Sequence, residues 1–315
     1  IDFIICDHHL PGGTIPEAVA VLDPKRPDCP YPFKELSGCG IGFKLMQALA
    51  QHNSIAFSEL EPLLDLVAIS TACDIVPVNG ENRVLSYYGL KRLNKGPARP
   101  GVQAMLGMSN FKRELTITDL VFVLGPRINA AGRIEHGQQA VELLLAHELA
   151  QAEQIGLRID KNNSHRQDLD KEITRQALEM FGTEDYLQDA WTTVVFHKDW
   201  HKGVVGIVAG RMKDRLHRPS FVFAIGADGL LKGSGRSIPG FHLRDALDLV
   251  TKRHPGVLKR FGGHAMAAGC TLDEEDFDTF DAALQQVARE WLQPNDLTRT
   301  VATDGPLSLE YFNAQ

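Results

Sequence analysis

The sequence predicts an α/β protein of two domains joined by a long helix. Three observations carry that expectation. The chain opens on a short apolar run that ends in polar residues and is followed by helical stretches. A charge-dense stretch without proline runs from His147 to Phe181, and strand and helix patterns alternate again from Trp191. At 315 residues the chain is long enough to give each domain its own core.

The elements follow in order. Ile1-Asp2-Phe3-Ile4-Ile5-Cys6 reads as a buried strand that delivers Asp7, His8 and His9 to a loop marked by Pro11-Gly12-Gly13. Strand ends of this kind are where open α/β sheets hold ligands. Gly38 to His52 has apolar residues at 41, 45, 46 and 49, a helical spacing. Asp65 to Ile75 is a second strand-like apolar run, with Asp74 near its end and Pro77 beyond it. Helical stretches follow near 80–94, 99–109 and 137–146. This alternation with short links predicts a parallel, doubly wound sheet. His147 to Phe181 is too polar on most sides for a core and reads as one connecting helix. Beyond it, Thr192–Phe196, Ser220–Ile225 and Leu230–Gly235 read as strands. Val204–His217, Leu243–Arg253 and Asp276–Leu292 read as helices. After Pro294 the chain turns polar, and 301–307 looks like a strand and turn without a partner.

Composition excludes several classes. A hydrophobic fraction of 43% and a charged fraction of 23% are those of a globular protein. No run of 18 apolar residues occurs, so no membrane helix is expected. The chain opens on Ile1 with no signal-peptide pattern, and an upstream segment is expected to be missing. Cys6, Cys29, Cys39, Cys73 and Cys270 are odd in number and form no CxxC pair. That argues against a disulfide framework or zinc ribbon and fits a reducing cytoplasm, with the thiols filling small core spaces. Net charge is −7, yet His197 to His264 holds 13 Lys and Arg against 5 Asp and Glu, a local balance of +8. A basic module on an acidic body fits a partner rich in phosphates, and it equally fits a solvated basic face.

Four clusters carry chemistry. Asp7-His8-His9 at a strand end, with Asp74 on the next run, offers the nitrogen and oxygen donors of a divalent-metal site. The same residues also suit strand and turn capping. Gly262-Gly263-His264 with the small residues after it fits close approach of an anion to bare backbone, or a plain glycine turn. Gly233-Ser234-Gly235-Arg236-Ser237 sets a guanidinium fork and two hydroxyls on a flexible strand edge. Gly125 to Arg133 reads as a loop carrying Arg127 and Arg133. Together these imply several phosphates in a row, as in a polymer.

With those residues in place, the chain resembles the DHH phosphoesterase superfamily and, within it, the bacterial RecJ nucleases. Asp7-His8-His9 is similar to the motif that names the superfamily, and Gly262 to Gly269 to the GGHxxAAG signature of its DHHA1-type domain. The likeness extends to Gly125–Arg133, Asn162–Gln167, Trp200–Gly206 and Gly233–Ser237. It implies a DHH domain with a mainly parallel sheet over 1–146 and a connecting helix over 147–182. A DHHA1 domain with a mixed sheet would occupy 183–293, and the start of an OB-type domain 294–315.

For the site, the resemblance implies catalytic Asp7, His8, His9 and Asp74. His8 and Asp74 would ligate Mn²⁺ or Mg²⁺ in a two-metal centre, Asp7 would support it, and His9 would meet the scissile phosphate. Ser234, Arg236, Gly262, Gly263 and His264 would hold DNA phosphates, with Arg127 and Arg133 as further candidates. The implied activity is 5′→3′ hydrolysis of single-stranded DNA in repair and recombination, with a single-strand-binding protein or helicase as partner and no membrane. Family motifs that supply further metal ligands lie before the DHH motif, so the 315 residues alone are expected to be nearly inactive.

Two rivals stand beside this reading. One is a DHH/DHHA1 enzyme acting on very short RNA, 3′-phosphoadenosine phosphate or cyclic dinucleotides. The long helix and the tail after Pro294 argue against it. The other is a non-catalytic scaffold, against which the intact Asp7, His8, His9, Asp74 and His264 argue.

Overall fold

Ile4–Cys6 (β1) and Ala20–Leu22 (β2) pair in parallel, with Ile4 opposite Ala20 and Cys6 opposite Leu22. This pair carries Asp7 at its end. In the computed structural model all residues are described except 75, 97, 110, 135–136, 182–188, 302, 307 and 309–315, and 133–134 are described by backbone alone. The described residues fall into two units, Ile1–His165 and Arg166–Gln315.

In the first unit, Gly38–His52 (α1) starts at Ser37, whose Oγ accepts from Gly40 N at 3.2 Å. The apolar run after Asp65 was expected to be a strand and is a helix instead, Leu64–Cys73 (α2), with Asp74 as its C-cap. Val67, Ala68, Ile69, Thr71 and Ala72 are all buried. A helix enclosed on every side needs apolar residues on every side, so its sequence loses the helical period. Even Asp65 is buried, held by Arg99 through Nη2–Oδ1 at 2.7 Å and Nε–Oδ2 at 2.9 Å. The described parallel sheet therefore has two strands, and helices build the rest of this unit.

Gly80–Lys95 (α3) lies tight on α2, because a Cβ on Gly89 would come within 2.2 Å of Leu64 O. Pro100–Met108 (α4) follows with proline in its first turn. The expected loop at 125–133 is a correction too: Gly125–Ile134 (α5) is helical. Thr116 and Asp119 form a capping box ahead of it, and a π-helical turn, Leu120–Leu124, leads in. Glycine and proline there read as loop punctuation, yet Pro126 costs no helix hydrogen bond in the first turn, and Ala130 and Ala131 are buried. Gln138–Leu145 (α6) then precedes Leu149–Glu179 (α7), whose first half adds Ile155 and Ile159 to this unit's core.

The second half of α7 gives Ile173 and Ala177 to the other unit. Its sheet is mixed, in the order β3 (Thr193–Phe196), β4 (Ser220–Ile225), β5 (Leu231–Arg236), β7 (Ala267–Leu272), β6 (Arg260–Gly263), with only β3 and β4 parallel. One face, with Phe221, Phe223, Leu231, Ala268 and Cys270, packs under Leu243–Arg253 (α9) and Phe277–Trp291 (α10). The opposite face, with Val195, Val222 and Ala224, packs under Val205–Leu216 (α8) and α7. Gly233-Ser234-Gly235-Arg236 is thus not an edge: β5 is the central strand. Its glycines serve packing, since a Cβ would reach within 2.3 Å of the Phe223 ring at Gly233 and 2.4 Å of the Phe221 ring at Gly235.

All five cysteines are free. Burial pushes the Cys73 thiol up to about 11 and raises that of Cys270, so both stay protonated and unreactive at neutral pH. No helix among the described residues is long and apolar enough to cross a membrane. Of the tail after Pro294, 302, 307 and 309–315 lie outside the described residues, and 303–306 form no regular element.

Candidate metal centre and phosphate-binding strand

Three chain segments meet at the first cluster: the end of β1, the start of α1 and the end of α2. Asp7 N continues the sheet ladder to Leu22 O at 3.0 Å. Its Oδ1 accepts from His8 N at 2.7 Å and His9 N at 3.2 Å, and lies 2.8 Å from His9 Nδ1. These bonds hold the Asp7 carboxyl below its ordinary range, the His9 ring contributing most. His8 turns the other way. Its Nε2 lies 2.9 Å from Asp74 Oδ2, with its ring beside Gly38 at the start of α1. His8 Nδ1 is buried with no partner among the described residues. The two rings lie 4.4 Å apart, with His8 only 13% exposed and His9 69%.

An imidazole nitrogen against a carboxylate oxygen, with the second ring nitrogen unsatisfied, is a donor set suited to a divalent first-row cation or Mg²⁺. The donors come as two pairs. Among the described residues no group of three or more His, Cys, Asp or Glu side chains converges as a metal cluster would.

The arginines of 125–133 stand differently. Arg127 is only 16% exposed, with Nε on Asp160 at 2.9 Å and Nη1 on Val123 O at 2.8 Å. It ties α5 to α7, which the sequence did not show, because Asp160 reads as one more charge on a polar helix. The side chain of Arg133 lies outside the described residues.

In the second unit, Ser234 and Arg236 share one face of β5, and Arg236 Nη1 donates to Ser234 Oγ at 3.3 Å and Gly235 O at 2.8 Å. The first turn of α8 leans on both: a Cβ on Gly206 would lie 2.9 Å from Ser234 Oγ and 3.3 Å from Arg236 Nη2. The α8 N-cap, Val204, supplies no side-chain bond. The first turn of α8 and the Arg236 guanidinium thus lie side by side, which suits an anion. The loop before α8 is fixed by Trp200, whose Nε1 donates to Gln176 Oε1 of α7 at 2.7 Å.

Gly262 and Gly263 are not a loop turn; they end strand β6. Gly263 has φ +138°, and a Cβ there would strike Ala267 O and Ala268 Cα at 2.5 Å, so only glycine closes this hairpin. Gly262 has nothing within 4 Å on its open side. Register sets Gly262, Gly269 and Ser234 side by side across three strands, which makes a bare shelf beside Arg236. His264, exposed in the hairpin, stands at the end of that shelf. The contacts of Gly206 and Gly269 are a matter of tertiary packing; in the sequence they only close two motif stretches.

Several cations of the basic module are paired internally, such as Arg211 with buried Asp170 at 2.6 Å and Lys259 with Asp273 at 2.6 Å. Lys198, Lys202, Arg215, Arg244 and Arg260 have no carboxylate partner among the described residues.

Comparison with known proteins agrees with this layout. The DHH family, N-terminal domain, matches residues 1–71, and the DHHA1 domain matches residues 188–290. The chain is 42% identical over 320 residues to the single-stranded-DNA-specific exonuclease RecJ of Escherichia coli, covering 98% of this chain and 56% of that protein. It is 40% identical over 299 residues to RecJ of Bacillus subtilis, covering 94% of this chain and 36% of that protein. The chain thus spans about half, or less, of the length of these relatives. The crystal structure of Thermus thermophilus RecJ with Mn²⁺ superposes with a TM-score of 0.80 at 30% identity, over 93% of this chain and 42% of that one. A structure of exonuclease RecJ bound to manganese gives 0.75 at 31% identity, over 93% of this chain and 71% of that one. With both motif clusters in matching folds and this identity along nearly its whole length, the chain belongs to the RecJ family.

Proposed function

We propose that this chain carries the hydrolytic residues and the phosphate grip of a divalent-metal-dependent exonuclease that degrades single-stranded DNA from its 5′ end, in DNA repair and recombination. The observation that supports it most is the 2.9 Å approach of His8 Nε2 to Asp74 Oδ2 beside the Asp7–His9 pair. His8 and Asp74 would hold Mn²⁺ or Mg²⁺, the ions present in solved RecJ structures. Such a cation supplies a Lewis acid and an activated water. Asp7 fixes the His9 ring through Nδ1, so that Nε2 of the exposed ring is left to meet a phosphate oxygen. In the other unit the Ser234 hydroxyl, the Arg236 guanidinium and the α8 amides bind phosphate charge, and His264 adds a donor at the shelf's end. The bare Gly262–Gly269 row lets a sugar-phosphate chain lie close to backbone.

The test is Mn²⁺-dependent degradation of a 5′-phosphorylated single-stranded oligonucleotide by the full-length protein beside its His8→Ala variant. Loss of nucleotides from the 5′ end, none from a blunt duplex, and a fall of about 100-fold or more in the variant are expected. Equal rates in the two proteins would sink the reading. Activity confined to dinucleotides would move it to small nucleotides, and DNA binding without any hydrolysis would move it to a scaffold.

A further inference from the structure

The groove between α1 and α3 holds none of the residues of the reaction proposed above. It encloses a cavity of about 1020 Å³. Small-molecule sites run up to roughly 1,000 Å³, so there is room for one of the larger small ligands. Part of the lining is apolar, with Phe33, Phe57 and Leu64. The Phe33 ring takes the place of a side chain at Gly80 (φ +46°), where a Cβ would come within 2.5 Å of it. Along α3 the lining is graded: Val84, Leu85 and Tyr88 come first, then Lys91, Arg92 and Lys95. These positions recur at helical spacing, so they form one wall, ~16 Å long by helix rise. Ser86, Gly89 and Leu93, on another side of α3, are buried. Val84 and Tyr88 remain 56% and 51% exposed, a local concentration of apolar surface.

The polar groups describe what would fill it. Lys44 is paired with Glu81 at 2.9 Å, and Glu81 also accepts from Tyr31 Oη at 2.8 Å. Lys91, Arg92 and Lys95 have no carboxylate partner among the described residues, and the other acid of the lining is Glu61. Arg92 Nε and, from α1, Gln47 Oε1 are buried without a hydrogen-bond partner among the described residues. Leaving such atoms unsatisfied is costly, so the occupant should bring an acceptor to Arg92 and a donor to Gln47. It should also bring a flat or apolar body to the aromatic end and several negative charges to the cationic end. Inorganic phosphate supplies only the charges. A fatty acid covers the apolar end but has one carboxylate and no donor for Gln47. A nucleoside di- or triphosphate meets every demand. Its base lies against aromatic rings, its phosphates accept from arginine and lysine, and its base and sugar carry N–H and O–H donors.

We propose that this groove is a binding site for a free nucleoside di- or triphosphate, separate from the DNA site, with the base against Phe33 and Tyr88 and the phosphates on Lys91, Arg92 and Lys95. The probe is ADP carrying a fluorescent N-methylanthraniloyl group on its ribose, titrated into the full-length protein in EDTA so that no metal at the DHH cluster contributes. Tyr88→Ala and the double variant Lys91→Gln/Lys95→Gln, all at exposed positions, should each weaken binding about tenfold or more. Both should melt as the parent does. Arg236→Gln should bind the probe as the parent does, which separates the groove from the phosphate-binding strand. Unlabelled ADP should displace the probe, whereas adenosine and pyrophosphate, each with part of the recognised groups, should need a far higher concentration. The proposal is overturned if the parent does not bind the probe, or if both groove variants bind it as the parent does. It also fails if Arg236→Gln abolishes binding, or if pyrophosphate or adenosine competes as well as ADP. Displacement by oligo-dT as effective as by ADP, at equal nucleotide concentration, would overturn it in favour of a nucleic-acid track.

Discussion

Asp281 on α10 shows how one side chain can set a pH dependence outside any active site. Burial, with Asp278 nearby, pushes its carboxyl up to about 6, and its Oδ1 is buried without a partner among the described residues. Below about pH 4 the group is neutral in folded and unfolded chains alike. As pH rises toward 6 the unfolded chain ionises first, so the stability present at low pH drains away and stays lost above about 6. Asp281→Asn should therefore raise Tm near pH 7.5, by at most ~3 kcal/mol in stability, and leave it unchanged near pH 4. Melting curves at the two pH values check this, and an equal change at both would refute the titration argument. At the same scale, Asp7, His8 and His9 were legible as a polar cluster because three polar residues at the end of an apolar run stand out. That His8 turns to Asp74 while His9 turns to Asp7 was not legible, since ring orientation depends on the bonds made by Asp7 and on Asp74, distant in the chain.

Elements marked by clear periodicity were read close to their bounds. Gly38–His52 and Leu243–Arg253 are helices over those residues, and Ser220–Ile225 is a strand over those residues. Elements whose surroundings are uniform were misread. α2 is enclosed on all sides and reads like a strand, and α5 hides behind glycine and proline. The close fit of α2 against α3 has its own consequence. Gly89→Ala gains about 1 kcal/mol of helix propensity, but its Cβ would sit 2.2 Å from Leu64 O and 2.5 Å from Ala68 Cβ. Backbone cannot give way cheaply, so a net loss of ~1–3 kcal/mol is expected. Because α2 ends in Asp74, Mn²⁺ affinity should fall with it. A calorimetric scan paired with a Mn²⁺ titration measures both, and an unchanged Tm would show that the helices are not in fixed contact.

For the whole molecule the leading feature is charge placed against a net of −7. On the proposed function, single-stranded DNA held through Arg236 and the unpaired lysines should bind with an affinity that falls steeply with salt, at a slope of about −0.7 per phosphate neutralised. Arg236→Gln should flatten that slope by about one such step, whereas Ser234→Ala should weaken binding without changing it, because a hydroxyl displaces no counterion. Equal slopes in parent and Arg236→Gln would remove Arg236 from the phosphate grip. By itself the sequence determined the α/β class, the run of strands and helices with strong local period, and the motif clusters, because those follow from residue order and spacing. Only the tertiary structure decided that β5 is central, that α2 is a helix, that Arg127 is tied to Asp160 and that Gly206 meets Ser234. Each of these depends on partners distant in the chain, and packing selects such partners by shape and burial, which local pattern does not encode.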